Sequence, residues 1–165
     1  MEPSSSPVIF LDVGGVLVHE GTIHNRIPGE PWHSVFAYAA TVDLDCVRRV
    51  LRIVEATGAK IVVSSDWRRN NAQSTALKRA FIDAGMDRRA YRDLVIGSTP
   101  HLDGKTRAHE VAAWLANHPA VTHYLILDDQ VVEGHPQLSD RPSSFTGGLQ
   151  EAHVEEAIRL LGVSG

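Results

Sequence analysis

Three carboxylates and a hydroxyl stand where apolar runs end. Asp12 follows Val8-Ile-Phe-Leu11, Ser64 follows Ile61-Val-Val63, and Asp128-Asp129 follow Tyr124-Leu-Ile-Leu127. A carboxylate inside an apolar layer is costly, but the C-terminal end of a parallel strand opens onto the ligand crevice. Strands ending on one edge would bring these residues together across the chain. The acidic set is then a hard oxygen cluster suited to Mg²⁺. Phosphoryl transfer needs such a set: an oxygen nucleophile, a cation and donors around the phosphate oxygens. Asp12 can be the nucleophile and a metal ligand, with Asp128 and Asp129 as further ligands. The Ser64 hydroxyl and N–H groups near Gly15 and Ser65 can bond phosphate. Lys105, after Gly104 at a helix start, adds positive charge where anions are already favoured; Arg107 is its rival. Gly14 and Gly15 allow close approach of a ligand to the main chain. Taken singly, each residue has a plainer role as a turn or cap. Their joint occurrence in this order carries the chemical reading.

Apolar runs of four to six residues read as strands buried on both faces. They fall at 8–13, 60–65, 94–97 and 124–127, with a further short strand near Ser144–Thr146. Helical spacing appears between them: from Asp43, a good N-cap, to Gly58; around Leu77–Gly85; from near Lys105 to Pro119; and from Gln150 to Gly162. Strands alternating with helices predict an α/β chain, a Rossmann-like parallel sheet with helices on both faces. Residues 1–7 read as a disordered N-terminus and 8–165 as one domain. Residues 18–42, rich in Gly, Pro and His, form a lid-like insertion directly after Asp12. Trp32, Phe36 and Tyr38 are available to pack it down.

The 165 residues carry a net charge of −4, which argues against a surface that traps polyanions throughout. From Asp66 to Arg92, however, seven basic residues face three acidic ones. Such a run is either a solvated helix face or a patch for a phosphate-rich ligand. Cys46 is the only cysteine and excludes an internal disulfide. It falls among apolar helix neighbours, where it packs inertly. His19, His24 and His33 are too irregularly spaced for a structural zinc site. The N-terminus lacks the pattern of a signal peptide, and no apolar run reaches membrane-spanning length. A cytoplasmic protein is the expectation.

Val8 to Leu17 resembles the first motif of the haloacid dehalogenase (HAD) superfamily of phosphohydrolases, an apolar strand followed by Asp-x-Asp-Gly-x-Thr/Val-Leu. Ser64 resembles the second motif, Lys105 or Arg107 the third and Asp128-Asp129 the fourth. Receiver domains use similar residues, but with the acidic pair first. A narrower likeness runs through Ser64-Ser-Asp-Trp-Arg68, Gly97-Ser-Thr-Pro100, Arg107 to Leu115, Leu127-Asp-Asp129 and Gly148-Leu149. These stretches resemble the HAD domains of multi-part RNA-repair proteins. The resemblance implies a Mg²⁺-dependent phosphomonoester hydrolase forming an aspartyl phosphate on Asp12. It also implies a phosphorylated small molecule or nucleic-acid end as substrate, and association with RNA-repair or nucleotide-processing proteins. Trp67 and Arg68 could stack on a base and hold phosphate; core packing is the other reading of Trp67. One position departs from the motif. Gly14 keeps the backbone carbonyl that ligates Mg²⁺ in the superfamily but lacks the carboxylate that serves as general acid and base. The chain is then an impaired phosphatase, one assisted by His19, Glu20 or His24, a catalytically silent phosphate-binding module, or a competent enzyme in which Gly14 was introduced.

Overall fold

The computed structural model describes residues 5–162. Four short strands form one parallel sheet: β1 (Val8–Leu11), β2 (Lys60–Val63), β3 (Val95–Ser98) and β4 (Tyr124–Leu127). Six helices connect and cover them: α1 (Val35–Ala40), α2 (Leu44–Thr57), α3 (Asn71–Asp83), α4 (Arg88–Leu94), α5 (Arg107–Ala116) and α6 (Glu151–Leu161). The fold is α/β and Rossmann-like, as the alternation of patterns predicts.

Side chains alternate across the sheet with the two-residue period of a strand. Ile9, Leu11, Ile61, Val63, Leu125 and Leu127 enter the larger core, with Val47, Val50 and Ile53 of α2, Phe81 of α3 and Leu161 of α6. Val8, Phe10, Val62 and Ile126 face the other way, onto Val111 and Trp114 of α5. Phe10 meets Trp114 edge-to-face, ring centroids 5.4 Å apart. Both faces are therefore covered, and α5 is the helix on the smaller one.

The sheet order is β3-β2-β1-β4. The chain steps outward from β1 to β3, then returns to the opposite side of β1 for β4. That reversal creates a crevice at the C-terminal ends of β1 and β4, where open α/β sheets bind ligands.

Local hydrogen bonding accounts for two departures from the sequence reading. Ser144–Thr146 forms a 3₁₀ turn and not a strand. The Phe145 N–H donates to Ser143 Oγ and the Thr146 N–H to the Ser143 carbonyl, so the segment closes into a turn, and the Ser144 carbonyl accepts from the Glu20 N–H. Helix α4, which has too short an apolar pattern to stand out, is started by Asp87, whose carboxylate accepts from the Ala90 N–H at 2.7 Å. The expected disordered segment 1–7 falls partly on residues 1–4, which lie outside the described residues. Within 5–7 there is no regular element, and the Pro7 carbonyl accepts from the Lys60 N–H.

The insertion at 18–42 is pinned at its base, where His19 Nε2 lies 2.7 Å from Asp43 Oδ2. Asn25 bonds the Ala40 carbonyl, and Tyr38 packs edge-to-face on Trp67. Trp32 does not pack the segment down; it is 68% exposed, with Arg26 stacked over it.

His153 couples the start of α6 to pH. Its Nδ1 accepts from the Gln150 N–H at 2.8 Å, so protonating that nitrogen breaks the bond. Burial pushes its pKa below the ordinary 6.5, against the pull of Asp140. The unfolded chain therefore binds a proton that the folded chain resists. This contribution to stability is present above 6.5 and is lost as pH falls through the unfolded value toward the lower folded one. Denaturation measured at about pH 7 and about pH 5 should show that loss, and His153→Gln should reduce it. An unchanged slope in the variant would assign the pH dependence to other groups.

Candidate active site

Strand register builds the site. Leu11 pairs with Val63 on one side and with Leu127 on the other, and Val63 pairs with Ser98. The next residues, Thr99, Ser64, Asp12 and Asp128, therefore form a row across the C-terminal edge of the sheet. The Ser64 N–H donates to the Leu11 carbonyl, the Asp12 N–H to the Leu127 carbonyl and the Thr99 N–H to the Val63 carbonyl. Asp12 is 5% exposed, Asp128 1% and Ser64 0%.

Arg107, in the first turn of α5, reaches across this row. Its Nη1 lies 2.6 Å from Asp128 Oδ2 and 3.2 Å from Asp12 Oδ2. The Gln130 N–H holds the other Asp128 oxygen at 2.9 Å. Asp12, Asp128 and Asp129 each place a carboxylate oxygen within 4.8 Å of the others. Arg107 thus bridges two of the three clustered carboxylates, while Arg141 reaches only the Asp129 main-chain carbonyl. Burial, with Asp128 beside it, pushes the Asp12 pKa up to about 8 despite Arg107. Burial and Asp128 also raise that of Asp129. The site is short of positive charge, and its donors are hard oxygens at close range; both features fit a divalent cation.

Ser64 Oγ and Thr99 Oγ1 are buried without a hydrogen-bond partner in the protein. A buried unpaired polar group costs about 1–3 kcal/mol, so the Ser64 hydroxyl, next to Asp12 in the row, is suited to an oxygen-rich ligand, and Thr99 lies one strand further out. The turn after Asp12 is tightly closed: the Leu17 and Val18 N–H groups both donate to the Val13 carbonyl. Gly15 has φ 79°, and a Cβ there would collide with the Asp129 side chain, so glycine lets the two loops meet. Gly14 is different. It is exposed, and a Cβ there meets nothing within 4 Å.

The model of the HAD domain in Swiss Army Knife RNA repair proteins matches residues 8–154. The chain belongs to that family. Comparison with curated proteins and with solved structures finds no match.

Several residues of this HAD domain stand differently from the sequence expectation. Lys105 is exposed and lies outside α5, because Thr106 is the N-cap. Arg107 occupies the position beside the carboxylates instead. The distinction between them is where the helix starts, which spacing alone did not fix. Arg68, expected to contact substrate, is engaged within the protein. Its side chain is 5% exposed and works as a clamp. Nε donates to the Thr99 carbonyl, Nη1 to that of Ser65 and Nη2 to that of Pro100, while Nη2 pairs with buried Glu110 at 3.2 Å. Trp67 packs against the larger core and Tyr38, which is the packing alternative of the sequence reading. The Ser65 side chain caps the Trp67 N–H, so its hydroxyl serves the turn.

His19 has both ring nitrogens engaged, Nε2 by Asp43 and Nδ1 by the Gly21 N–H, which removes it as a stand-in base. Among the described residues, no hydrogen bond or ion pair ties the Glu20 or His24 side chain to the site. His19, Asp43 and Cys46 do converge, away from the other loop histidines. Yet burial pushes the Cys46 thiol up to about 11, and Arg49 Nη1 stands 3.8 Å from its sulfur. Both oppose a cation there. Thr99, which ends the row, was no candidate in the sequence reading; its position just past a strand was the available signal. No helix among the described residues is long and apolar enough to cross a membrane.

Proposed function

We propose that this HAD domain is a Mg²⁺-dependent phosphomonoester hydrolase acting on terminal phosphates of nucleotides or polynucleotides. The observation that carries the reading is the row of Ser64, Asp12 and Asp128 with Arg107 set across it. Asp12, Asp128 and Asp129, with the Gly14 carbonyl, would hold the cation. Bound there, it would neutralise the carboxylates and the phosphate together. An ionised Asp12 oxygen attacks phosphorus, forming an O–P bond as the ester P–O bond breaks. The leaving oxygen takes its proton from water, because Gly14 offers none. Water then attacks the same phosphorus, breaks the Asp12–phosphate bond and releases inorganic phosphate. The Ser64 hydroxyl orients the phosphate oxygens, Thr99 extends that row, and Arg107 balances the charge; the Gly15 N–H is held by the Val18 carbonyl, so Gly15 serves by letting the two loops meet. The family is that of HAD domains in RNA repair proteins, which supports a polynucleotide end as substrate and repair or nucleotide-processing proteins as partners.

Gly14 favours a second reading, a silent phosphate-binding module. The purified protein should release phosphate from an aryl phosphate or from 3′- or 5′-phosphorylated oligonucleotides in a Mg²⁺-dependent manner, and Asp12→Asn should abolish release. Mg²⁺ should also raise the melting temperature by mass action, with most of that shift lost in Asp128→Asn. An equal shift in the variant would sink the metal site. No release from any substrate would leave the binding module.

A further inference from the structure

We infer that the cleft between the first turn of α5 and residues 130–133 is the subsite for the leaving group, shaped for a neutral, hydroxyl-bearing nucleoside unit. This rests on the hydrolase reading of the Asp12 site. The cleft holds about 650 Å³ and is lined by Thr106, Arg107, His109, Gln130, Val131 and Glu133, among others. That volume falls within the range of small-molecule pockets.

Two of its walls are tied to the reacting carboxylates. Arg107 bridges Asp12 and Asp128, and the Gln130 N–H holds Asp128. The cleft therefore begins where the row of Ser64, Asp12 and Asp128 ends. A group esterified to a phosphate at Asp12 needs space of this kind, and Arg107, which touches Asp12, is also part of the cleft wall.

Charge decides the class of occupant. Arg107 is the only Lys or Arg among the lining residues, and its guanidinium is already shared by two carboxylates. Glu133 adds negative charge. A second phosphate would meet that carboxylate and find no unshared cation, so a diphosphate is a poor occupant. Sugar hydroxyls suit the lining better. The Glu133 carboxylate and the Gln130 side-chain amide have no protein hydrogen-bond partner among the described residues, whereas the Gln130 main chain is fully engaged. Acidic side chains accept from ribose hydroxyls in nucleotide sites generally. Val131, 58% exposed, supplies an apolar surface for a base, and His109 adds an imidazole whose Nδ1 is held by Thr106.

Calorimetry in Mg²⁺ with phosphonates, whose P–C bond resists hydrolysis, tests the subsite directly. An adenosine phosphonate should bind about tenfold more tightly than methylphosphonate, a difference of about 1.4 kcal/mol. Val131→Trp, filling the cleft, and Glu133→Ala, removing the acceptor, lie on the surface and should spare the fold. Each should cut the adenosine advantage by about fivefold while leaving methylphosphonate within about twofold. A loss in either variant supports the subsite. An advantage unchanged in both, a parallel loss for methylphosphonate, or tighter binding of inorganic diphosphate than of the adenosine phosphonate overturns it. Failure of the wild-type protein to bind methylphosphonate at all overturns the hydrolase reading on which it rests. Binding of methylphosphonate without any adenosine advantage overturns the subsite alone.

Discussion

Gly14→Asp should raise phosphatase turnover by about 10²–10⁴-fold, the usual contribution of general acid–base catalysis. The position is open to the change. It is exposed, its φ is not positive, and an added Cβ meets no atom within 4 Å. The aspartate therefore enters without displacing the turn that closes over Val13. The gain should be largest for alkyl leaving groups such as a ribose hydroxyl, which need a proton to depart. It should be smaller for nitrophenyl phosphate, whose leaving group is stable as the anion. With glycine in place, a phosphoryl group on Asp12 should also persist longer, because no carboxylate at 14 activates water. Steady-state turnover on both substrate types, with acid-quench trapping of the phosphorylated protein, measures each effect. Glu20 and His24 are the loop groups left as substitutes, since His19 is held by Asp43 and Gly21. If either assists, its removal abolishes activity and Gly14→Asp adds little. Silence of Gly14→Asp on every phosphomonoester, with no effect of Glu20→Gln or His24→Ala, would replace the enzyme reading by the binding module.

Arg68→Ala should destabilise the fold by about 3–5 kcal/mol, the range found when one partner of a buried ion pair is removed. Arg68 joins three segments. It binds carbonyls in the loops after β2 and β3, at Ser65, Thr99 and Pro100, and it pairs with Glu110 on α5. Without it Glu110 keeps the Leu102 N–H and the nearby His101 ring but loses its only buried guanidinium among the described residues. Glu110→Gln, which keeps the size and one oxygen, should cost less than Arg68→Ala. Arg107 stands one helical turn before Glu110, so loosening this clamp should also weaken the bridge from α5 to Asp12 and Asp128. Urea denaturation gives the stability change. A loss below about 1 kcal/mol, typical of an exposed ion pair, would mean that Arg68 is free to move and available to substrate.

The sequence by itself determined the sheet and its reactive edge. Apolar runs ending in Asp12, Ser64 and Asp128 are self-sufficient signals, because a strand buried on both faces must be apolar and a carboxylate must leave it. Asp43 and Gly58 marked the ends of α2 for similar local reasons: a side-chain acceptor at one end and a left-handed residue at the other. Short elements were less legible. Helix α4 depends on one cap at Asp87, and Ser144–Thr146 closes on itself where a strand was expected. Only the tertiary structure decided which basic residue lies beside the carboxylates. Arg68, Lys105 and Arg107 are alike in charge and lie near the right motifs. Packing buries Arg68 among three loop carbonyls and Glu110, the Thr106 cap leaves Lys105 outside α5 in solvent, and the first turn of α5 carries Arg107 to the carboxylates. Charge type is written in the sequence. The direction in which a long side chain spends its charge depends on acceptors contributed by distant segments, and these are set only when the sheet and α5 have come together.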